Sequence, residues 1–109
     1  MRISESSPAC FQQDADLLKA MGHPIRLCIL KGLMDVESCN VSYMQACLSI
    51  PQSTLSQHLA VLRHAGMIVG DRDGLTINYR LISQRTRDIL AVLFSDDVAI
   101  DSKVHDVSV

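Results

Sequence analysis

The sequence predicts a mainly α fold with one β-hairpin, and three observations predict it. Residues 51–67, PQSTLSQHLAVLRHAGM, place Leu55, Leu59 and Leu62 at i, i+4 and i+7, a helical apolar stripe, with a polar face opposite. A brief turn, Ser49-Ile50, joins this helix to an apolar one before it. Asp73-Gly74 then lies between two β-prone runs, a short-range hairpin signal. A helix, a tight turn, a polar second helix and a hairpin make a winged helix-turn-helix, in the order α1-α2-α3-α4-β-β-α5.

Each element has its own justification. Residues 1–10 are polar and are expected to be a flexible N-terminal segment ahead of a single domain over residues 11–94. Phe11, Ala15, Leu18 and Met21 fall at helical spacing, giving a first helix over about residues 11–21. Gly22-His23-Pro24 breaks it, and Pro24 starts a second helix to about Leu33. Its Ile25, Leu27, Cys28, Ile29, Leu30 and Leu33 leave little polar face, so it is expected to be central and buried. Asn40 caps a short third helix, Val41 to Leu48, with Val41, Met44, Cys47 and Leu48 facing in. The fourth helix starts with Pro51 in its first turn and closes on Gly66 as a left-handed cap. The hairpin runs from Met67 to Leu81, with Asp-Gly as the centre of a type I′ turn and Tyr79 packing beneath it. Ser83 caps a fifth helix over about Gln84 to Phe94. Residues 95–109 are acidic and poor in large apolar groups, a flexible tail.

Composition narrows the function. The 109 residues are 48% hydrophobic, enough for one core, and two Tyr, two Phe and no Trp make that core aliphatic. The longest apolar run, Ile89 to Phe94, is far too short to span a membrane. The first residues show no basic stretch followed by an apolar segment, so a cytoplasmic protein is expected. A net charge of −2 argues weakly against nucleic acid, but its distribution does not. Residues 52–87 carry +3 and residues 88–109 carry −4. The positive third coincides with the polar helix and the hairpin, as a footprint on double-stranded DNA requires.

The polar helix supplies groups suited to reading DNA. Gln52 and Gln57 are candidates for base edges, since an amide pairs bidentately with adenine. Ser53, Thr54 and Ser56 are candidates for phosphate or base contacts, and Arg63, Arg72 and Arg80 for phosphates. His58 follows the polar face as a structural or DNA-backbone contact. The terminal helices together present more apolar surface than one small core covers. Phe11, Ala15, Leu18, Leu90, Leu93 and Phe94 are therefore expected to build a homodimer interface. A winged-helix protein-interaction module is the alternative of another class; small polar residues fit it poorly, because protein hot spots favour large aromatics. A thiol enzyme needs a nucleophile with a placed base, and no Cys-x-x-Cys or Gly-rich phosphate loop is present.

The four cysteines lack zinc-finger spacing and suggest reduced thiols. Cys28 and Cys47 are read as core thiols. Cys10 and Cys39 lie outside apolar stripes, and Cys39 at a helix start is expected to have a lowered pKa. Cys39 and Cys47 could not share an ion if both were helical, because eight residues rise about 12 Å. Cys10 and Cys39 could meet and hold a thiophilic ion such as arsenite, cadmium or zinc; two plain surface thiols are the alternative.

The segments LLKAMGHPIRLCIL (17–30), PQSTLSQHLAVLRHAGMI (51–68) and DRDGLTINYRL (71–81) resemble the ArsR/SmtB family of bacterial winged-helix repressors, closest to its PagR-type members, over about residues 13–94. The resemblance implies a homodimer that binds palindromic operator DNA and represses transcription. It maps the recognition helix onto residues 51–64 and the wing onto residues 69–80. Many members of that family release DNA on binding metal or on thiol oxidation. The sensor sites of the family are incomplete here. Arsenic and cadmium sensors carry Cys-x-Cys at the start of the third helix, whereas this chain has Cys39-Asn40-Val41, a single cysteine slightly out of register. Asp88 has no helical His partner before His105, as the zinc sensors have, and Cys28 has no cysteine after Cys47, as the persulfide sensors have. A metal-released, a redox-responsive and a ligand-independent repressor therefore all stay open.

Overall fold

The structure, a computed structural model, describes residues 8–95. Its order is α1 (Pro8–Met21), α2 (Pro24–Asp35), β1 (Cys39–Asn40), α3 (Val41–Leu48), α4 (Gln52–His64), β2 (Ile68–Asp73), β3 (Thr76–Leu81) and α5 (Gln84–Leu93). The first helix starts three residues earlier than its apolar spacing predicts, so Cys10 is helical and not part of a frayed end. Residues 1–7 and 96–109, with most of the expected acidic tail and His105, lie outside the described residues.

Caps set the helix boundaries. The His23 Nδ1 accepts from the Ile25 amide at 3.1 Å, and Pro24 opens α2 behind it. The Asn40 Oδ1 accepts from the Tyr43 amide at 2.7 Å, and the Ser83 hydroxyl from the Thr86 amide at 3.1 Å, as the sequence predicts for both. Pro51 is the N-cap residue of α4, one position outside the helix. At the other end Met67 N–H donates to Leu62 O at 3.1 Å and Gly66 N–H to Arg63 O at 3.0 Å. With Gly66 at φ +75 this is a Schellman closure. The turn between α3 and α4 puts Ser49 at φ 54, the one non-glycine with positive φ among the described residues.

The sheet is antiparallel in the order β1-β3-β2. Asp73 pairs with Thr76, so Gly74-Leu75 are the two loop residues. Gly74 has φ +65 and Leu75 does not have a positive φ. That is the pattern of a type II′ turn, not the type I′ turn centred on Asp-Gly that the sequence suggests. The two-residue β1 was not foreseen; it pairs Cys39 with Tyr79 and Asn40 with Asn78. Tyr79 is buried, and its ring lies where a Cβ on Gly70 would fall, at 2.9 Å. A side chain at that point of β2 would have to displace the Tyr79 ring.

The core joins every helix to the hairpin. Leu30, Leu33, Leu55, Leu62, Met67, Ile68 and Leu90 are all buried, with Leu59 beside them. Leu90 is fully buried inside the protomer, which removes it from the expected dimer surface. Cys28 and Cys47, expected in the core, are both exposed.

Candidate nucleic-acid interface

The interface is built on α4. Leu55, Leu59 and Leu62 are 0%, 2% and 0% exposed, so the helix is seated along one stripe and cannot rotate without opening the core. Gln52, Ser53, Ser56, Gln57 and Arg63 are exposed as a consequence. Thr54 and His58, four residues apart, turn toward the flank and are half-buried. His58 is held there: its Nδ1 lies 3.2 Å from Arg26 Nη1, and its ring is 4.4 Å from that of His23. The structure therefore makes His58 a junction residue between α2 and α4. Burial, then the nearby His23 and Arg26, pushes its pKa below the ordinary 6.5. Arg26 also donates from Nε to Ala20 O at 2.6 Å, placing a cation at the C-terminus of α1.

The wing flanks the helix. A polar groove of about 390 Å³ runs between them, bordered by Gln52, Ser56 and Arg63 on one side and Leu75 and Thr76 on the other. Arg72 is exposed on β2 and has no ion pair among the described residues. The same holds for Arg63. Arg80 differs, because its Nε donates to Asp71 Oδ2 at 2.9 Å. Part of its charge is thus spent within the hairpin. Leu75 is fully exposed at the wing tip. Asp-Gly alone centres the turn on Asp73-Gly74 and leaves Leu75 on the strand; the pairing of Asp73 with Thr76 is what puts Leu75 at the tip.

The thiols do not follow their sequence expectations. Cys10 sits on an exposed face of α1, and Cys39 is half-buried on β1. Burial and the nearby Cys47 raise the Cys39 pKa, the reverse of the lowering expected at a helix start. Its Sγ donates to Asn40 O at 3.6 Å. Among the described residues, no three His, Cys, Asp or Glu side chains are placed to hold a metal ion.

On the surface where a dimer was expected, α1 and α5 are joined by an ion pair between Arg85 and Asp14. Phe11, Leu18 and Leu93 are 55%, 56% and 57% exposed, and Ala15 is exposed too. Phe94 is half-buried, with Lys31 Nζ 5.6 Å from its ring centroid. No helix among the described residues is long and apolar enough to cross a membrane.

A seated helix with a polar outer face, a tight turn before it and a cationic wing beside it define a winged helix-turn-helix transcriptional regulator. Comparison with known proteins narrows the class. The family described as "Bacterial regulatory protein, arsR family" matches residues 23–69. The transcriptional repressor PagR of Bacillus anthracis is 38% identical over 82 residues, covering 75% of this chain and 82% of PagR. The crystal structure of PagR superposes with a TM-score of 0.71 at 36% identity, covering 80% of this chain and 99% of that one. HlyU from Vibrio cholerae gives a TM-score of 0.76 at 32% identity, covering 82% and 96%. The chain belongs to the ArsR family. Its relatives are transcriptional regulators, which sets the thiol-enzyme reading aside.

Proposed function

We propose that the chain is a sequence-specific, DNA-binding transcriptional repressor that acts as a homodimer on a two-fold operator. The observation that carries this reading is the division of α4 into a buried leucine stripe and an exposed face of Gln52, Ser53, Ser56, Gln57 and Arg63. A rigid helix with amides and hydroxyls outward suits base edges in a major groove. In this reading Gln52 and Gln57 read bases and Ser53 and Ser56 contact bases or phosphates. Arg63 and Arg72 hold phosphates, with Arg80 a weaker contributor. Thr54 and His58 support the helix from its flank. Leu75 at the wing tip lies against the sugar edge of the adjacent minor groove. Phe11, Ala15, Leu18 and Leu93 form the two-fold interface, with Phe94 at its margin.

Fluorescence anisotropy on the DNA upstream of the chain's own gene, against random duplex, tests the reading. Gln57→Ala is expected to change preference at one base pair by roughly 1–3 kcal/mol. Equal losses on operator and random DNA would remove Gln57 from base readout. Sedimentation of a Leu18→Glu, Leu93→Glu double variant is expected to give monomer where the parent gives dimer.

A further inference from the structure

Three of the four cysteines, which no sensor pattern joined, line one cavity. It holds about 280 Å³ between α2, β1 and α3. Ile29, Leu33 and Met44 are buried at its floor. Cys28 and Cys47 are exposed on its walls, and Cys39 is half-buried beside them. Gly32 stands in the middle of α2 on the same wall, where a helix loses about 1 kcal/mol relative to alanine. A Cβ added there would meet nothing within 4 Å. Among the described residues the glycine therefore answers to no packing constraint, and its effect is to leave the cavity open.

We propose that this cavity binds a small apolar electrophile, a single-ring α,β-unsaturated carbonyl compound, and that Cys47 captures it covalently. The size fits: an apolar void of roughly 150 Å³ takes up benzene, so this one accepts a substituted ring. The walls fit, since beyond the thiols, Tyr43 and Asp35, whose carboxylate is paired with Lys31, they are hydrocarbon. A scattered set of thiols does not suit a metal ion, whose ligands must converge, but suits a carbon electrophile, which needs one sulfur. Cys47 is the nucleophile on placement. Cys39 is half-buried with its Sγ donating to Asn40 O, whereas Cys47 is exposed on the cavity wall one helical turn from Tyr43, which lines the same cavity. Cys28, the other exposed thiol there, has only Pro24 and Gly32 at the matching positions of α2. The nearby Cys47 raises the Tyr43 pKa, so the phenol keeps its proton.

The step balances without an oxidant. The Cys47 proton passes to water, and the thiolate pair forms a bond to the β-carbon. The C=C π pair moves through the α-carbon onto the carbonyl oxygen. The carbonyl then re-forms as the α-carbon takes a proton from the Tyr43 hydroxyl, which water restores. The net change is addition of S–H across one double bond. The adduct lies against α3, the first helix of the helix-turn-helix, and against β1, which pairs with wing strand β3. Its effect on DNA rests on the repressor reading above; its formation does not.

The test uses the whole chain with 2-cyclohexen-1-one as the apolar probe and acrylamide as the polar control. Mass spectrometry reads the rate at Cys47 relative to Cys10, which lies outside the cavity. Prebinding is expected to raise that ratio at least about tenfold for cyclohexenone over acrylamide. Gly32→Leu fills the cavity while improving helix propensity, and is expected to abolish the preference with its thermal transition preserved. Tyr43→Phe is expected to slow Cys47 capture of both reagents. An equal ratio for the two probes overturns the pocket. Selective capture that leaves operator affinity unchanged overturns its regulatory role. If the unmodified protein binds no operator, the repressor reading fails, and the labelling ratio still decides the cavity.

Discussion

Asp71→Asn is expected to strengthen DNA binding, and the size of the effect follows from the wing. Asp71 lies diagonally across the hairpin from Arg80, with their side chains 56% and 49% exposed and 2.9 Å apart. So exposed a pair contributes about 0–1 kcal/mol to folding, so the variant should stay folded. Breaking it frees Arg80 for a phosphate and removes a negative charge beside the duplex. Each new phosphate contact steepens the dependence of log affinity on log salt by about 0.9. A dimer carries two wings, so the slope should steepen by about 1.8. Across a fourfold rise in salt the variant then loses about 12-fold more affinity than the parent. Arg72→Ala should do the opposite, flattening the slope by the same amount and weakening all sequences alike. Anisotropy titrations at several salt concentrations read both. A slope unchanged by Asp71→Asn, with the hairpin intact, would mean that the wing does not touch the backbone. A change near 0.9 instead of 1.8 would mean that only one wing engages.

Three further outcomes test the fold. Gly70→Ala drives a Cβ into the Tyr79 ring at 2.9 Å and the Ile77 side chain at 3.0 Å, and should cost about 1–3 kcal/mol in urea unfolding. The folded-state pKa of His58 is depressed, so the unfolded chain takes up that proton first as pH falls. Its contribution is complete above pH 6.5 and is lost as pH falls from there through the depressed value. His58→Gln should flatten the fall in urea midpoint between about pH 7.5 and about pH 5; an unaltered fall would exclude His58 as its source. Leu90→Ala should cost about 2–5 kcal/mol as a core truncation, while Leu93→Ala leaves protomer stability nearly intact and weakens self-association. Similar unfolding costs for the two would contradict the burial of one and exposure of the other.

The elements that sequence made legible are those stabilised by local signals. The leucine spacing of α4, the Asn40 and Ser83 caps and the positive φ at Gly66 each depend on residues within one or two turns. What escaped depends on distant partners. β1 has only two residues and exists because β3 offers Tyr79 and Asn78 as pairing partners. Arg80 looks like a free cation until the hairpin register brings Asp71 beside it. For His58 the sequence leaves a structural and a DNA-backbone role open, and the partners that hold it, Arg26 of α2 and His23 capping that helix, are distant in sequence.

The exposure of Cys28 and Cys47 has a different cause, and that cause is legible in the sequence. Counting Cys28 as one more apolar residue makes α2 look hydrophobic all round. At about 100° per residue, however, Cys28 lies about 150° from the centre of the arc formed by Ile29, Leu30 and Leu33. Cys47 lies about 90° from the centre of the arc formed by Val41, Met44 and Leu48. One thiol is thus turned off the core and the other stands at its rim, and both are exposed. Packing α2 and α3 on the same core brings those two off-core faces to a shared cavity, where Cys39 meets them from β1. A cysteine that merely filled the core would need no opening. These stand around one, next to a glycine that keeps it clear. Their placement is therefore better explained by access to a reactant than by packing.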